Sequence, residues 1–260
     1  KGTLPLRAQP VFITSYEDID KLHLDYFCEN NIAVYLPKKS NLKFGVVARG
    51  CEARSIVALI IEEQIKREQV YIIGVPCQGI ADRKRIEQEV NEEISQVKVS
   101  SEKIEIITVT NKTFNFPLPE YLYPTCKVCR HRNPPIYDEL ISEKVKEFEG
   151  DAYVDIKEIE KKSNTERWNF FFNILSRCIR CYACRQVCPT CYCNECFVDS
   201  SNPKWIEKGQ DPTDLVIWQI TRIYHQAGRC TECGSCERAC PMAVSYTHLR
   251  AHETRHDLVC

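Results

Sequence analysis

Through residues 1–162, apolar residues fall in short runs broken by charged or turn-forming stretches, a pattern of alternating strands and helices. Pro10–Ile13 and Ile32–Leu36 read as short strands, the second closed by Pro37. Between them Asp18–Phe27 reads as a helix, with Cys28 at its end as a buried small hydrophobe. Phe44–Ala48 is an apolar strand, Gly50–Ser55 a tight turn, and Ser55–Arg67 a helix that is apolar first and charged later. Val70–Val75 follows as a second strand. Strand, helix and strand of these lengths predict a βαβ unit with parallel strands. Asp82–Ile94 reads as a charged, solvated helix and Ile104–Thr110 as an alternating strand, followed by the proline- and aromatic-rich Phe114–Pro124. Ile136–Phe148 has the spacing of an amphipathic helix, Tyr153–Ile156 that of a short strand, and Lys157–Lys162 is a charged linker.

From Ser163 the period changes. Ser163-Asn164-Thr165-Glu166 is a capping box, and Trp168, Phe171, Phe172 and Leu175 form an i, i+3, i+4, i+7 stripe that predicts a buried helix face. A second helix begins at Asp211, with Pro212 and Asp214 in its first turn. Its apolar stripe is Val216, Ile220, Ile223 and Ala227, and Gly228 ends it. The expected organisation is an α/β domain with a βαβ-containing mixed or parallel sheet (residues 1–162), then a mainly α-helical domain (163–243).

Composition adds bounds. The 260 residues suffice for a sizeable core, and a formal net charge of −1 gives no pull toward nucleic acid or an anionic membrane surface. No apolar run is long enough to span a bilayer, and the start carries no secretory signal pattern. Seventeen cysteines without such a signal point to metal ligation in a reducing, cytoplasmic setting.

The cysteines carry the chemistry. Cys178, Cys181, Cys184 and Cys188, then Pro189, repeat the spacing of Cys230, Cys233, Cys236 and Cys240, then Pro241. Cys-x2-Cys-x2-Cys-x3-Cys-Pro places three thiolates on one 4Fe–4S cluster and sends the fourth to its neighbour. This assigns Cys178, Cys181, Cys184 and Cys240 to one cluster and Cys230, Cys233, Cys236 and Cys188 to a second. A structural zinc site needs two pairs of ligands and no third cysteine at this step. Each motif is entered from a helix, and the long insert between them suggests a helical ferredoxin arrangement. Arg177, Arg180, Arg185, Arg229 and Arg238 interleave with the ligands, where cations offset cluster charge. Cys191, Cys193 and Cys196 are further thiols that spacing alone leaves open as alternative ligands, another metal site or redox-active groups.

Cys51 and Cys77 fall past the C-terminal ends of the two parallel strands, the edge where such sheets bind ligands. With the Cys-x2-Cys of Cys126 and Cys129 they make a set of four, expected to hold a third 4Fe–4S cluster; the competing reading makes Cys51 and Cys77 core thiols.

Gly50-Cys51-Glu52-Ala53-Arg54-Ser55, Gly74-Val75-Pro76-Cys77 and Pro124-Thr125-Cys126-Lys127-Val128-Cys129, in this order, resemble the beta-subunit family of coenzyme F-420-reducing hydrogenases and formate dehydrogenases. That resemblance covers most of residues 1–162. The Cys178–Met242 stretch is similar to helical dicluster ferredoxins such as heterodisulfide reductase electron-transfer subunits. The resemblance to the beta-subunit family implies an iron–sulfur flavoprotein that passes electrons through FAD between a catalytic hydrogenase, formate dehydrogenase or heterodisulfide-reductase-like subunit and a soluble two-electron carrier. A flavin-free ferredoxin-type carrier and a zinc-stabilised interaction module are the rival readings. No flavin contacts or catalytic residues are assignable from the motifs.

From Val244 onward, Ser245-Tyr246-Thr247-His248-Leu249-Arg250-Ala251-His252-Glu253-Thr254 resembles a translated sequencing-library adapter. Residues 244–260 are therefore expected to be artefactual and unstructured, and His248, His252 and His256 are discounted as a metal face despite their helical spacing.

Overall fold

The computed structural model describes residues 4–37 and 41–245. The fold is a mixed α/β region with a parallel sheet, followed by a mainly helical region. The chain forms two compact units, each assembled from two segments: residues 1–30 with 77–129, and residues 31–76 with 130–260. The boundary expected near Ser163 thus falls inside the second unit.

In the second unit, strand β1 (Phe44–Ala48) leads through helix α1 (Gly50–Ile61) to strand β2 (Val70–Gly74). The two strands pair in parallel from Phe44↔Val70 to Ala48↔Gly74, as the pattern predicts. Gly74 also pairs with Leu140 in β6 (Glu139–Leu140), giving the order β1-β2-β6. Ile56, Leu59 and Ile72 are fully buried together with Val46 and Val70. Each such side chain contributes about 1.5–3 kcal/mol on transfer from water. Helix α1 begins at Gly50, earlier than predicted, because close approach rather than a turn demands that glycine. A Cβ there would lie 2.0 Å from the His131 carbonyl oxygen.

The first unit holds the antiparallel sheet β3 (Ile94–Val99), β4 (Lys103–Thr108) and β5 (Thr113–Pro117), packed on α2 (Arg83–Val90). Its core is Ile86, Val90, Ile104, Ile106, Phe116, Tyr121 and Leu122. Asp82 caps α2 by accepting from the Arg85 N–H. The helix stops at Asn91, whose φ of 47° is left-handed, so Ile94 opens a strand rather than ending the helix. The short helix α3 (Pro124–Lys127) carries Cys126.

Several expectations are corrected. Ile32–Tyr35 is a 3-10 turn, not a strand, because the Asn31 side chain accepts the Ala33 N–H and starts a turn. Pro10–Ile13 lies outside any strand, and Asp18–Phe27 yields only a 3-10 turn, Tyr16–Lys21. Cys28 therefore sits in a loop, bonded to Asp25. Ile136–Phe148 is not helical. The Asp138 carboxylate accepts the Ile72 N–H at 2.7 Å, and Asn133 exchanges hydrogen bonds with the Val145 backbone. The Asp138 and Ile141 N–H groups donate to the Ile72 and Gly74 carbonyls of β2, so with Val145 they are backbone groups lost to a helix. Residues expected as strand and linker instead form α4 (Val154–Glu160), which buries Ile156 and Ile159 one turn apart.

Helix α5 (Asn164–Leu175) carries the expected capping box, with the Ser163 N–H bonded to Glu166 at 2.8 Å. Its stripe is less buried than predicted: Leu175 is in the core, Phe171 and Phe172 pack beside it, and Trp168 is 54% exposed. Helix α7 (Pro212–Gln226) is capped by Asp211 and buries Val216 and Ile223. Val244, expected to open an unstructured tail, is fully buried in the same core as Leu175 and Trp218. The histidines at 248, 252 and 256 lie outside the described residues. Among the described residues no helix is long and apolar enough to cross a membrane.

Candidate iron–sulfur sites

The two cysteine motifs fold alike, residue for residue. In the first, Arg180 (φ 51°) and Tyr182 (φ 62°) take left-handed backbone; in the second, Glu232 (φ 55°) and Gly234 (φ 70°) do so at the same two positions. In each, a short helix starts just before the third cysteine: α6 (Ala183–Gln186) and α8 (Ser235–Ala239), which pack on each other. Left-handed residues outside glycine cost free energy and persist where the surroundings require them. Here they wrap the loop around its own sulfurs. The Arg180 N–H points at Cys178 Sγ at 3.3 Å, and the Val244 N–H at Cys240 Sγ at 3.4 Å.

The thiols gather across the motifs. Cys178, Cys181 and Cys184 line one cavity with Cys240 of the other motif, beside Ile179, Tyr182, Trp218, Gln219 and Met242. Cys178, Cys184 and Cys240 are buried, and Cys181 is exposed at its edge. Burial pushes the Cys178 thiol up, and the neighbouring Cys184 and Cys240 sulfurs add to the shift. Three thiols of one motif and the last of the other on one cavity are the donor set that a 4Fe–4S cluster of a paired motif takes.

The walls suit a sulfur-rich anion as well. Trp218 Nε1 is buried with no hydrogen-bond partner, and a sulfide-bearing cluster offers the acceptor that such a donor lacks. Gln219, 1% exposed, lines the same cavity from the same turn of α7, and its Oε1 is likewise buried with no hydrogen-bond partner.

The sulfurs of the second set act on one another electrostatically. Burial raises the Cys230 thiol to about 12, with the Cys233 and Cys188 sulfurs contributing. Cys236 is likewise raised, first by burial and then by Cys188, Cys233 and Cys230, against the lowering influence of Arg222. As cluster ligands these sulfurs would serve as thiolates, so their protons would leave on ligation. Cys188 is displaced the other way, chiefly by the thiol of Cys191 and then by the Arg222 charge. Gln226 holds this corner, its amide on Cys191 Sγ at 3.1 Å and its oxygen on Thr190 and Cys188. Cys191 is thus beside a motif cysteine; Cys193 is exposed and Cys196 half-buried.

The expected stripe on α7 is only part of its buried surface. Gln219, Arg222 and Gln226, spaced i, i+3 and i+7, are 1%, 6% and 3% exposed and face the thiols. A polar row between apolar rows signals this, since polar side chains are buried only where partners await them. Among the interleaved arginines, Arg180 bonds to the Glu207 carbonyl at 2.7 Å and lies over Trp218, Arg185 pairs with Asp199, and Arg238 bonds to the Cys233 carbonyl at 2.8 Å. Arg177 is exposed. Arg229 pairs with Glu62 on α1.

Cys51 occupies the first turn of α1 in the second unit, braced by a buried Arg49–Glu52 ion pair at 3.0 Å. Breaking one partner of such a pair costs about 3–5 kcal/mol, so it fixes the local backbone firmly. Cys77, Cys126 and Cys129 belong to the first unit. There the Gly79 N–H bonds to Cys77 Sγ at 3.3 Å, and the Cys77 charge adds to burial in raising the Tyr26 hydroxyl. All four of these thiols are half-buried.

Comparison with known proteins identifies this architecture. Residues 174–244 match the 4Fe-4S dicluster domain. The F420-dependent formate dehydrogenase subunit beta of Methanocaldococcus jannaschii is 28% identical across 92% of this chain and 78% of its own length. The F420-dependent formate dehydrogenase 1 subunit beta of Methanococcus maripaludis is 27% identical across 87% of this chain and 74% of its own. The chain is a homologue of these beta subunits and carries a 4Fe-4S dicluster domain. It is therefore an iron–sulfur electron-transfer subunit, homologous to a subunit of an oxidoreductase, and its dicluster domain implies two 4Fe–4S clusters.

Proposed function

We propose that this chain is the electron-transfer subunit of a formate-dehydrogenase-type complex, relaying electrons between a catalytic partner subunit and coenzyme F-420 or a like two-electron carrier. The observation that carries this reading is the cavity lined by Cys178, Cys181, Cys184 and Cys240, three thiols of one motif and the last of the other. On this reading those four hold one cluster, and Cys188, Cys230, Cys233 and Cys236 hold the second. Cys51, Cys77, Cys126 and Cys129 hold a third, the role that their resemblance to the beta-subunit motifs suggests.

Bound clusters supply one-electron transfer, and FAD would join two such electrons to hydride-level exchange with the carrier. The chain's own residues hold the thiols in place, donate N–H groups to sulfur, and set buried cationic and amide groups beside them. A cytoplasmic setting keeps so many free thiols reduced. The identity to formate dehydrogenase subunits favours that partner over a hydrogenase or heterodisulfide-reductase-like one.

Anaerobic iron, sulfide and flavin analysis of the protein tests this directly. Three clusters with FAD are expected. Two clusters without flavin would leave the flavin-free ferredoxin-type carrier, and a colourless zinc protein would overturn the electron-transfer reading altogether.

A further inference from the structure

Trp218 is 1% exposed and lines the cavity of Cys178, Cys181, Cys184 and Cys240 from α7. Both chain neighbours of Cys181 grip its ring. The Arg180 guanidinium carbon lies 5.9 Å from the ring centroid, and the Tyr182 ring meets it edge-on at 5.6 Å. Each of these two is anchored in turn, Arg180 on the Glu207 carbonyl at 2.7 Å and Tyr182 on the Asp199 carboxylate at 2.8 Å. The indole is therefore fixed beside the loop that carries Cys181. Its Nε1 is closed off from solvent and finds no acceptor among the described residues. A buried donor without an acceptor costs free energy, and native proteins rarely leave one so. Gln219 Oε1 is unpaired in the same cavity, but it leaves α7 about 100° round the helix from Trp218 and does not take this proton.

We propose that the Trp218 indole N–H is a hydrogen-bond donor to the 4Fe–4S cluster held by Cys178, Cys181, Cys184 and Cys240, and that it raises the potential of that cluster alone. The direction follows from charge. A cluster becomes more negative on taking up an electron, so a donor to its sulfur stabilises the reduced form more than the oxidised one. The effect is one-sided. Where the first motif has Arg180 and Tyr182, the second has Glu232 and Gly234, which offer neither a guanidinium nor a ring to hold an indole. The other two tryptophans, Trp168 and Trp205, are 54% and 60% exposed. The proposal rests on the two-cluster ligand assignment given above, and it gives Trp218 no bond-making role.

The test uses the whole protein, kept anaerobic, with iron and sulfide content measured on each sample. Tryptophan carrying the heavy nitrogen isotope in its indole ring is incorporated, and the reduced protein is studied by pulsed electron paramagnetic resonance. Coupling to the labelled nitrogen is expected on one of the two cluster signals. Trp218→Phe keeps a packed ring and removes the N–H; it should abolish that coupling and lower the midpoint of the same cluster in a redox titration, leaving the other in place. Absence of the coupling in the unaltered protein would overturn the proposal whatever the variant does. So would unchanged midpoints in fully loaded W218F, or equal shifts of both. Should W218F fail to hold its clusters, labelled Trp168→Phe and Trp205→Phe decide: coupling kept in both supports Trp218 as its source, and coupling lost with either refutes it. Iron content too low for two clusters in the unaltered protein would instead sink the ligand assignment on which the proposal stands.

Discussion

Ser55 Oγ and Thr231 Oγ1 share a buried hydrogen bond of 2.9 Å. Ser55 lies one turn inside α1, and Thr231 directly follows the first cysteine of the second motif. Ser55 Oγ also donates to the Cys51 carbonyl at 2.9 Å and accepts from Asn31 at 3.0 Å. On the other side of Cys230, Arg229 forms a two-pronged pair with Glu62 at the C-terminal end of α1. Both chain neighbours of Cys230 are thus tied to the helix that bears Cys51.

Removing that tie should be costly. Ser55→Ala leaves buried donors on Asn31 and Thr231 with lost partners and is expected to destabilise the fold by about 1–3 kcal/mol. Thr231→Val should cost less than Ser55→Ala, because the three-way bond of Ser55 is only partly undone. Urea unfolding curves of the two variants and their combination check this; the combined loss should fall short of the sum, as expected for residues in contact.

A cysteine from one motif that serves the cavity of the other gives a crossed phenotype. Cys240→Ala should abolish the spectroscopic signal of the cluster held by Cys178, Cys181 and Cys184, while the cluster of its own motif persists. Iron analysis paired with electron paramagnetic resonance of the reduced protein reads this out. Loss confined to the cluster of Cys230, Cys233 and Cys236 would show that each motif serves itself.

Gly234 adopts a φ of 70°, which a side chain resists. Gly234→Ala should lower stability by about 1 kcal/mol and slow cluster incorporation. The reverse change at the matching position of the first motif, Tyr182→Gly, relieves that backbone strain but removes the ring packed edge-on against Trp218 at 5.6 Å. It should therefore be no gain, as thermal unfolding would show.

Acid sensitivity is expected at the β2–β6 junction. The Asp138 carboxyl is held below its usual range, first by Arg67 at 2.6 Å and then by the Ile72 N–H. A depressed carboxyl stabilises the fold above its unfolded value of about 3.9 and loses that contribution as pH falls through the lower folded value. Asp138→Asn should consequently reduce stability at neutral pH and flatten its dependence below about pH 4. Fluorescence-monitored unfolding between about pH 2 and neutrality would test the sign.

Much of the site was legible because cluster ligation imposes a spacing that little else requires. The parallel strands at Phe44 and Val70 were legible for a similar reason: both are continuous apolar runs bounded by turn residues. What escaped notice was local polar chemistry. Asn31 bonds to the backbone two residues on, and Asn133 and Asp138 to backbone much farther along the chain, and so they override periodicity at Ile32 and across Ile136–Phe148. The matching left-handed turns of the two motifs were half hidden, since Gly234 announces one and Tyr182 conceals the other. On α7 the apolar stripe drew attention from Gln219, Arg222 and Gln226, whose burial depends on thiols brought from elsewhere in the chain.

The interleaved segments of the two units have a consequence for biosynthesis. Strands β1 and β2 and helix α1 leave the ribosome before residues 77–129, and β6 and both cysteine motifs come after them. The parallel pairing of Gly74 with Leu140 must close over that whole intervening segment, an entropic cost that grows only slowly with its length. When Thr231 finally emerges, the helix that receives it has already been made. Iron loading would then be a late event of maturation, completed on a surface that the first half of the polypeptide has prepared.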